Sequence, residues 1–342
     1  TDQGACAPED AGATYPDAAW AEIDPAVAGW NEAALQRALD AAQRGHWAAG
    51  MIIHNGRVVA RFGDTAATYD TRSIRKSIMG AVVGQLAAEG RLSLDATLAE
   101  LNIDERAAPL SARERTATLR QLMQSRSGVY RQAAFMTAED REGMPARDTH
   151  APGQSYWYNN WDFNAVGSIV RNAAGPLDQV IETRIARPLG MQDFAASDVR
   201  ERFENVSEHS AYRIWMSTRD RARFGYLYLR HGCWAGRQVV PAAFVADSLY
   251  PHTNRTESDD FGMMWRSQEA IERLGMRERW YSSRGNHLQY IMLIPEWDVL
   301  VVLTTDMDQP GWMNMLQRRA GLRPEIADVR NVMEAISEAR PR

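Results

Sequence analysis

Apolar residues recur along the chain in two rhythms, and the places where the rhythm changes divide it into three stretches. Leu35, Ala38, Leu39 and Ala42 follow helical spacing behind Asn31, which predicts a capped helix from Glu32 to about Ala42. Two β-prone runs then flank Asn55-Gly56, a strong hairpin signal within Gly50 to Phe62. Ile78, Met79, Val82, Val83 and Leu86 return to the helical rhythm, predicting a helix that starts near Ser73, buries one side and stops by Gly90. From about Arg91 to Arg200 strand signals largely vanish and helical patterns dominate, broken by a polar excursion from Arg131 to Pro152. Past Tyr212 the two rhythms mix. A helix is expected from Ser217-Thr218-Arg219-Asp220 through Leu229, and another over Pro241 to Ser248. Strands are expected at Trp280 to Gly285, Leu288 to Ile294 and Val299 to Leu303, the last two joined by a turn at Pro295-Glu296-Trp297-Asp298. Ile326, Val329, Met333 and Ile336 end the chain on a helix that would pack against the sheet.

Strand signals at both ends and helices between them predict an α/β (α+β) fold. An antiparallel sheet built from residues 1–90 and 205–342 would be flanked by helices from both chain ends, with residues 91–204 inserted as a mostly helical lobe. That arrangement brings Ser73, Tyr158 and Ser283-Arg284-Gly285 to the line where the lobes meet, and clefts form along such lines.

Composition narrows the function. The 342 residues suffice for a large core in two lobes, and a net charge of −5 gives no support to nucleic-acid binding. No apolar run approaches a membrane span. Cys6 and Cys233 are the two cysteines; without Cys-x-x-Cys or His-Glu-x-x-His no zinc site is expected. They are either two unrelated thiols or a bridge pinning the N-terminal arm, which would imply an oxidising compartment. The arm itself, Thr1 to Pro16, is rich in Ala, Gly, Pro and acid and reads as poorly ordered. The chain begins at Thr1, as a cleaved secretory signal or a trimmed boundary would each explain. The first predicts a periplasmic or secreted protein, the second a cytoplasmic one.

The candidate chemistry lies in Ser73-Ile74-Arg75-Lys76. Residues three apart on a helix share a face, so the Ser73 hydroxyl and the Lys76 ammonium can meet. A helix N-terminus offers free N–H groups and a positive dipole end, suited to an oxyanion formed when serine attacks a carbonyl. A lysine buried beside other positive charge loses affinity for its proton and can act as a base. Ser-x-x-Lys alone occurs by chance in most long chains, where it marks a solvated helix start. A second group strengthens it: Tyr158-Asn159-Asn160, behind the Pro152-Gly153 turn, offers a phenol for proton transfer and an amide for orientation. By itself that segment reads first as aromatics packed under a loop. His54, beside the hairpin turn, reads as an edge residue.

Taken together in order and spacing, Ser73-x-x-Lys76, Tyr158-x-Asn160 and Ser283-Arg284-Gly285 resemble the motif set of the serine β-lactamase and penicillin-binding-protein superfamily. The resemblance spans roughly Gly50 to Leu303. It implies a β-lactamase/transpeptidase-like fold and acyl transfer through an acyl-enzyme on Ser73. Lys76 and Tyr158 would handle the proton, Asn160 would orient substrate, and the N–H groups of Ser73 and Asn286 would form the oxyanion hole. It implies no metal and no organic cofactor. The third motif departs from the family: Ser283 stands where a Lys or His usually sits, a cation that in β-lactam-recognising members helps hold the substrate carboxylate. Arg284 is the neighbouring cation, but alternation along a strand should turn it to the other face. The pattern therefore resembles most the esterase, amidase and 6-aminohexanoate-dimer hydrolase branches, with a small ester, amide or lactam as substrate. A class C-like β-lactamase or D-Ala-D-Ala carboxypeptidase, and a penicillin-binding sensor without turnover, are the alternatives. Oligomeric state is not legible. No Gly-x-Ser-x-Gly occurs, which removes the α/β-hydrolase elbow from contention.

Overall fold

A computed structural model of the chain describes residues 5–106, 108–253, 260–268 and 278–342. Its strands are β1 (Ala49–His54), β2 (Arg57–Gly63), β3 (Thr68–Asp70), β4 (Val199–Glu204), β5 (Ser207–Ser217), β6 (Cys233–Trp234), β7 (Arg237–Gln238), β8 (Arg266–Gln268), β9 (Trp280–Gly285), β10 (Gln289–Ile294) and β11 (Val299–Thr304). The helices are α1 (Pro8–Ala11), α2 (Glu32–Arg44), α3 (Ile74–Ala88), α4 (Leu119–Met123), α5 (Ala138–Gly143), α6 (Asn160–Ala174), α7 (Leu177–Ile181), α8 (Thr218–Leu229), α9 (Ala242–Leu249), α10 (Gly311–Arg319) and α11 (Ile326–Ala339).

The main sheet has the order β2-β1-β11-β10-β9-β8 and is antiparallel throughout, so two strands from the first part of the chain join four from the last in one layer, meeting at β1 and β11. The hairpin falls at Asn55-Gly56, both at positive φ (49° and 73°), the conformation a two-residue I′ turn requires. Asn31 caps α2, its side chain accepting from the Ala34 N–H. Helices α2 and α11 cover one face of the sheet, burying Leu35, Met292, Val301, Val329 and Met333 in one cluster. On the other face α3, α6 and α8 share a larger core with Ile53, Ile291 and Leu300. α8 lies close because Gly225 has no side chain; a Cβ there would come within 2.5 Å of Ile291 and 2.7 Å of Leu300.

Three expectations change. α3 is buried all round from Ile74 to Leu86, not on one side, because the sheet covers one flank and the helical layer the other. Its polar residues are therefore each given a partner: Gln85 Nε2 donates to the carbonyls of Arg184 and Val239, both at 3.0 Å. A second sheet, β3-β5-β4, was not visible as strand periodicity. Its β4–β5 hairpin runs across residues 204 and 205, where the sequence pattern divides the chain. The arm is ordered where it is described. Cys6 is bridged to Cys233, Tyr15 packs edge-on against Tyr226 and Trp234, and Asp10 is buried against His231. Residues 1–4 of the arm lie outside the described residues. No helix among the described residues is long and apolar enough to cross a membrane.

Candidate active site

Ser73 sits at the N-cap of α3, where Thr71 and Arg72 bend the chain out of β3. Arg72 takes φ 51°, a left-handed conformation a long side chain rarely adopts. Asp70 holds it there: this fully buried carboxylate accepts from the Arg72 N–H at 2.9 Å and from the Arg213 guanidinium. Gly285 lies against the same bend, since a Cβ at that position would meet the Thr71 carbonyl oxygen at 2.7 Å. The end of β9 thus packs directly on the residues that present Ser73.

One turn into α3, Lys76 is 2% exposed. Its Nζ lies 3.1 Å from Ser73 Oγ, 2.5 Å from Tyr158 Oη and 2.7 Å from Asn160 Oδ1. The aromatic rings of Tyr158 and Phe163 wall it in, with centroids 4.2 and 4.5 Å away. Burial pushes the Lys76 ammonium well below the usual lysine range; the positive charges of Arg75 and Arg266 push the same way, and Asp140 opposes them. Asp140 also accepts from Asn160 Nδ2 at 3.3 Å. The four groups therefore share one point in space, although Lys76 and Tyr158 are 82 positions apart.

A cleft of about 570 Å³ opens beside them, lined by Ser73, Tyr158, Asn160, Arg284, Gly285 and Asn286. Ser283 is placed differently from its neighbours. It is 2% exposed, and its hydroxyl shares a 2.6 Å hydrogen bond with Ser77 Oγ, which in turn donates to the Met264 carbonyl at 2.6 Å. Its hydroxyl thus ties β9 to α3, and Ser283, expected at the substrate, is not among the residues that line the cleft. Arg284 is exposed at the cleft's edge, its guanidinium carbon 5.9 Å from the Tyr290 ring centroid. Sequence reasoning missed Arg75, Arg266 and Asp140. Arg75 was inside the motif; Asp140 lay within the polar excursion, whose α5 carries it to the cleft. Arg266 is brought in by β8, its guanidinium carbon 5.3 Å from the Tyr158 ring centroid.

A family model described as Beta-lactamase matches residues 33–322, most of the chain. The chain belongs to the beta-lactamase family. Solved structures with the same fold include a Bacillus anthracis protein named as a candidate 6-aminohexanoate-dimer hydrolase, 18% identical with a TM-score of 0.60 over 86% of this chain and 82% of that one. A beta-lactamase/D-alanine carboxypeptidase from Yersinia pestis is 16% identical, with a TM-score of 0.61 over 90% of this chain and 99% of that one. A D-stereospecific amidohydrolase from Streptomyces sp. is 17% identical, with a TM-score of 0.59 over 87% and 97%. At these identities the likeness is one of fold.

Proposed function

We propose that this member of the family is a serine hydrolase that cleaves a small ester or amide through an acyl-enzyme on Ser73. The observation that carries the reading is the contact of one buried lysine with Ser73 Oγ, Tyr158 Oη and Asn160 Oδ1 at once. Lysine in its uncharged form has a lone pair for the serine proton, and burial favours that form. As Ser73 Oγ bonds to the substrate carbonyl carbon, its proton passes to the Lys76–Tyr158 pair. The oxyanion is met by the N–H groups of Ser73 and Asn286, beside the positive end of α3. The pair then returns the proton to the departing alcohol or amine as the carbonyl–heteroatom bond breaks. Water adds to the acyl-enzyme and releases the acid, restoring Ser73. Asn160 holds Lys76 and can orient the substrate amide.

The engaged Ser283 hydroxyl supports an ester or amide over a β-lactam. The site has no lysine at that position to hold a lactam carboxylate; the cleft is lined instead by arginines, among them Arg284 and, from the neighbouring strand, Arg266. The test is hydrolysis of a short p-nitrophenyl ester, a linear amide dimer and a chromogenic cephalosporin by wild type and Ser73→Ala. Ester or amide turnover that disappears with Ser73→Ala, with the cephalosporin ignored, is the expected result. A cephalosporin turned over fastest would replace this reading with a β-lactamase or carboxypeptidase. No Ser73-dependent turnover of any of the three would refute the hydrolase.

A further inference from the structure

Tyr158 is held in place by few bonds of its own. Its hydroxyl meets Lys76, and its ring leans on Phe163 and Phe261 with centroids 5.2 and 6.0 Å away. Nothing in that set fixes the backbone, which must hold the phenol within 2.5 Å of Lys76 Nζ. The backbone is gripped from outside the segment by Ser125. Its carbonyl accepts from the Trp157 N–H at 3.1 Å, and its hydroxyl donates to the Trp157 carbonyl at 2.8 Å. The same hydroxyl accepts from the Asn159 N–H at 2.7 Å. Ser125 thus binds the residue before Tyr158 and the residue after it, leaving Tyr158 projecting between two fixed points.

The clasp has the marks of a built feature. Ser125 is 2% exposed and takes φ 56°, a left-handed conformation unfavourable to a serine. α4 stops at Met123, and the left-handed turn at Ser125 then aims both its polar groups at the 157–159 backbone. Asn159 completes the grip. Its Nδ2 donates to the Val129 carbonyl at 2.7 Å and to Asp162 Oδ1 at 3.1 Å, while its Oδ1 accepts from the Trp161 N–H at 3.1 Å. Asp162 is in turn anchored by Ser127, whose hydroxyl donates to it at 2.5 Å. The run 125–129 therefore serves as a cradle for the Tyr-x-Asn segment.

We propose that Ser125 is a positioning residue that sets Tyr158 against Lys76. The proposal rests on the reading of Tyr158 as a proton-transfer group. Reacting groups displaced by about 1 Å lose on the order of 100-fold in rate. Ser125→Ala and Ser125→Gly remove both hydroxyl bonds and keep the carbonyl bond, and glycine adopts the left-handed conformation without strain, so at least the glycine variant should fold. Acylation by a p-nitrophenyl ester is measured in single turnover for each variant, in the wild-type and the Tyr158→Phe backgrounds. The expected result is a loss of about 10- to 100-fold in the acylation rate with Tyr158 present, with KM moved by less than about threefold. In the Tyr158→Phe background the same substitution should cost less than about threefold, because the group it positions is already gone.

A loss of equal size in both backgrounds would make Ser125 a structural residue and overturn the proposal. An unchanged rate in the folded glycine variant would overturn it as well. Activity surviving in Ser73→Ala, measured alongside, would instead sink the hydrolase reading itself, so the two failures are told apart.

Discussion

Removing the Cys6–Cys233 bridge should lower thermal stability by a calculable amount without touching catalysis. The bridge spans a sequence separation of 227, and nearly two thirds of the chain lies within its loop. In the chain-entropy model a loop of that length contributes about 5 kcal/mol by restricting the unfolded state. A chain of 342 residues unfolds with an entropy of roughly 0.7 kcal/mol/K, so the double variant Cys6→Ala, Cys233→Ala should melt about 7 °C lower. The arm keeps its other anchors: Tyr226 Oη donates to the Thr14 carbonyl at 2.8 Å, Arg223 to the Asp17 carbonyl at 2.7 Å, and His231 meets Asp10 at 2.8 Å. The native fold should therefore persist, and Ser73-dependent turnover at 25 °C should be unchanged, because neither cysteine lines the cleft. Calorimetry of wild type and variant measures the first quantity; thiol titration of unreduced, denatured wild type checks the premise and should find no free thiol. A melting temperature lowered by less than about 2 °C, with no thiol titrating, would refute the entropic argument.

Tyr158→Phe should lower kcat by about 10²- to 10⁴-fold, the range for loss of a positioned proton-transfer group, and steady-state kinetics would show it. Full activity would remove Tyr158 from the scheme. The acid limb of kcat/KM should report Lys76 taking up a proton. Arg75→Gln should move that limb to higher pH and Asp140→Asn to lower pH, because the first charge repels the lysine's proton and the second attracts it. Shifts of the same sign would contradict the electrostatics of the site. His209 is buried, with Nε2–H donating to the Asp104 carbonyl at 3.0 Å and Nδ1 left to accept from Ser168 Oγ at 2.8 Å, and burial pushes it down to about 4. The unfolded chain thus binds a proton that the native one refuses between about pH 6.5 and 4. Roughly 3 kcal/mol of stability should be lost as pH falls through that window, partly offset by Glu105 at 3.4 Å, whose carboxyl is raised by burial. Urea titrations at several pH values should show a shallower dependence in His209→Asn; an unchanged slope would refute this.

Much of the fold was legible because local signals agreed with their surroundings. Asn31 caps α2 and Asn55-Gly56 turns the hairpin in any context that permits helix or strand. The strands β10 and β11 are continuous apolar runs, readable from residue type. β4 and β5 were not, because their length carries Arg, Glu, His and Ser whose partners lie elsewhere. Glu201 accepts from Arg171 at 2.5 Å and from Ser210 at 2.7 Å, and His209 is satisfied by Ser168. Polar residues that pair across elements erase the alternation by which a strand is recognised. The arm was misjudged for a related reason: its composition is that of a loose tail, and its order comes from Cys233, Tyr226 and His231, more than 200 positions away.

By itself the sequence determined the chemical parts of the site. It offered a candidate nucleophile, the lysine one turn later and the tyrosine and amide in their short segment, because these spacings follow from helix geometry and from motif order. Only the tertiary structure decided what those parts do to one another. The enclosure that weakens the hold of Lys76 on its proton, the turning of Ser283 into the core, the arrival of Arg266 and Asp140 at the cleft and the bonds of Ser125 to the backbone on either side of Tyr158 all join residues far apart in the chain. A protonation state depends on burial and on every nearby charge, and a side chain's direction on the packing of elements that the sequence pattern does not pair.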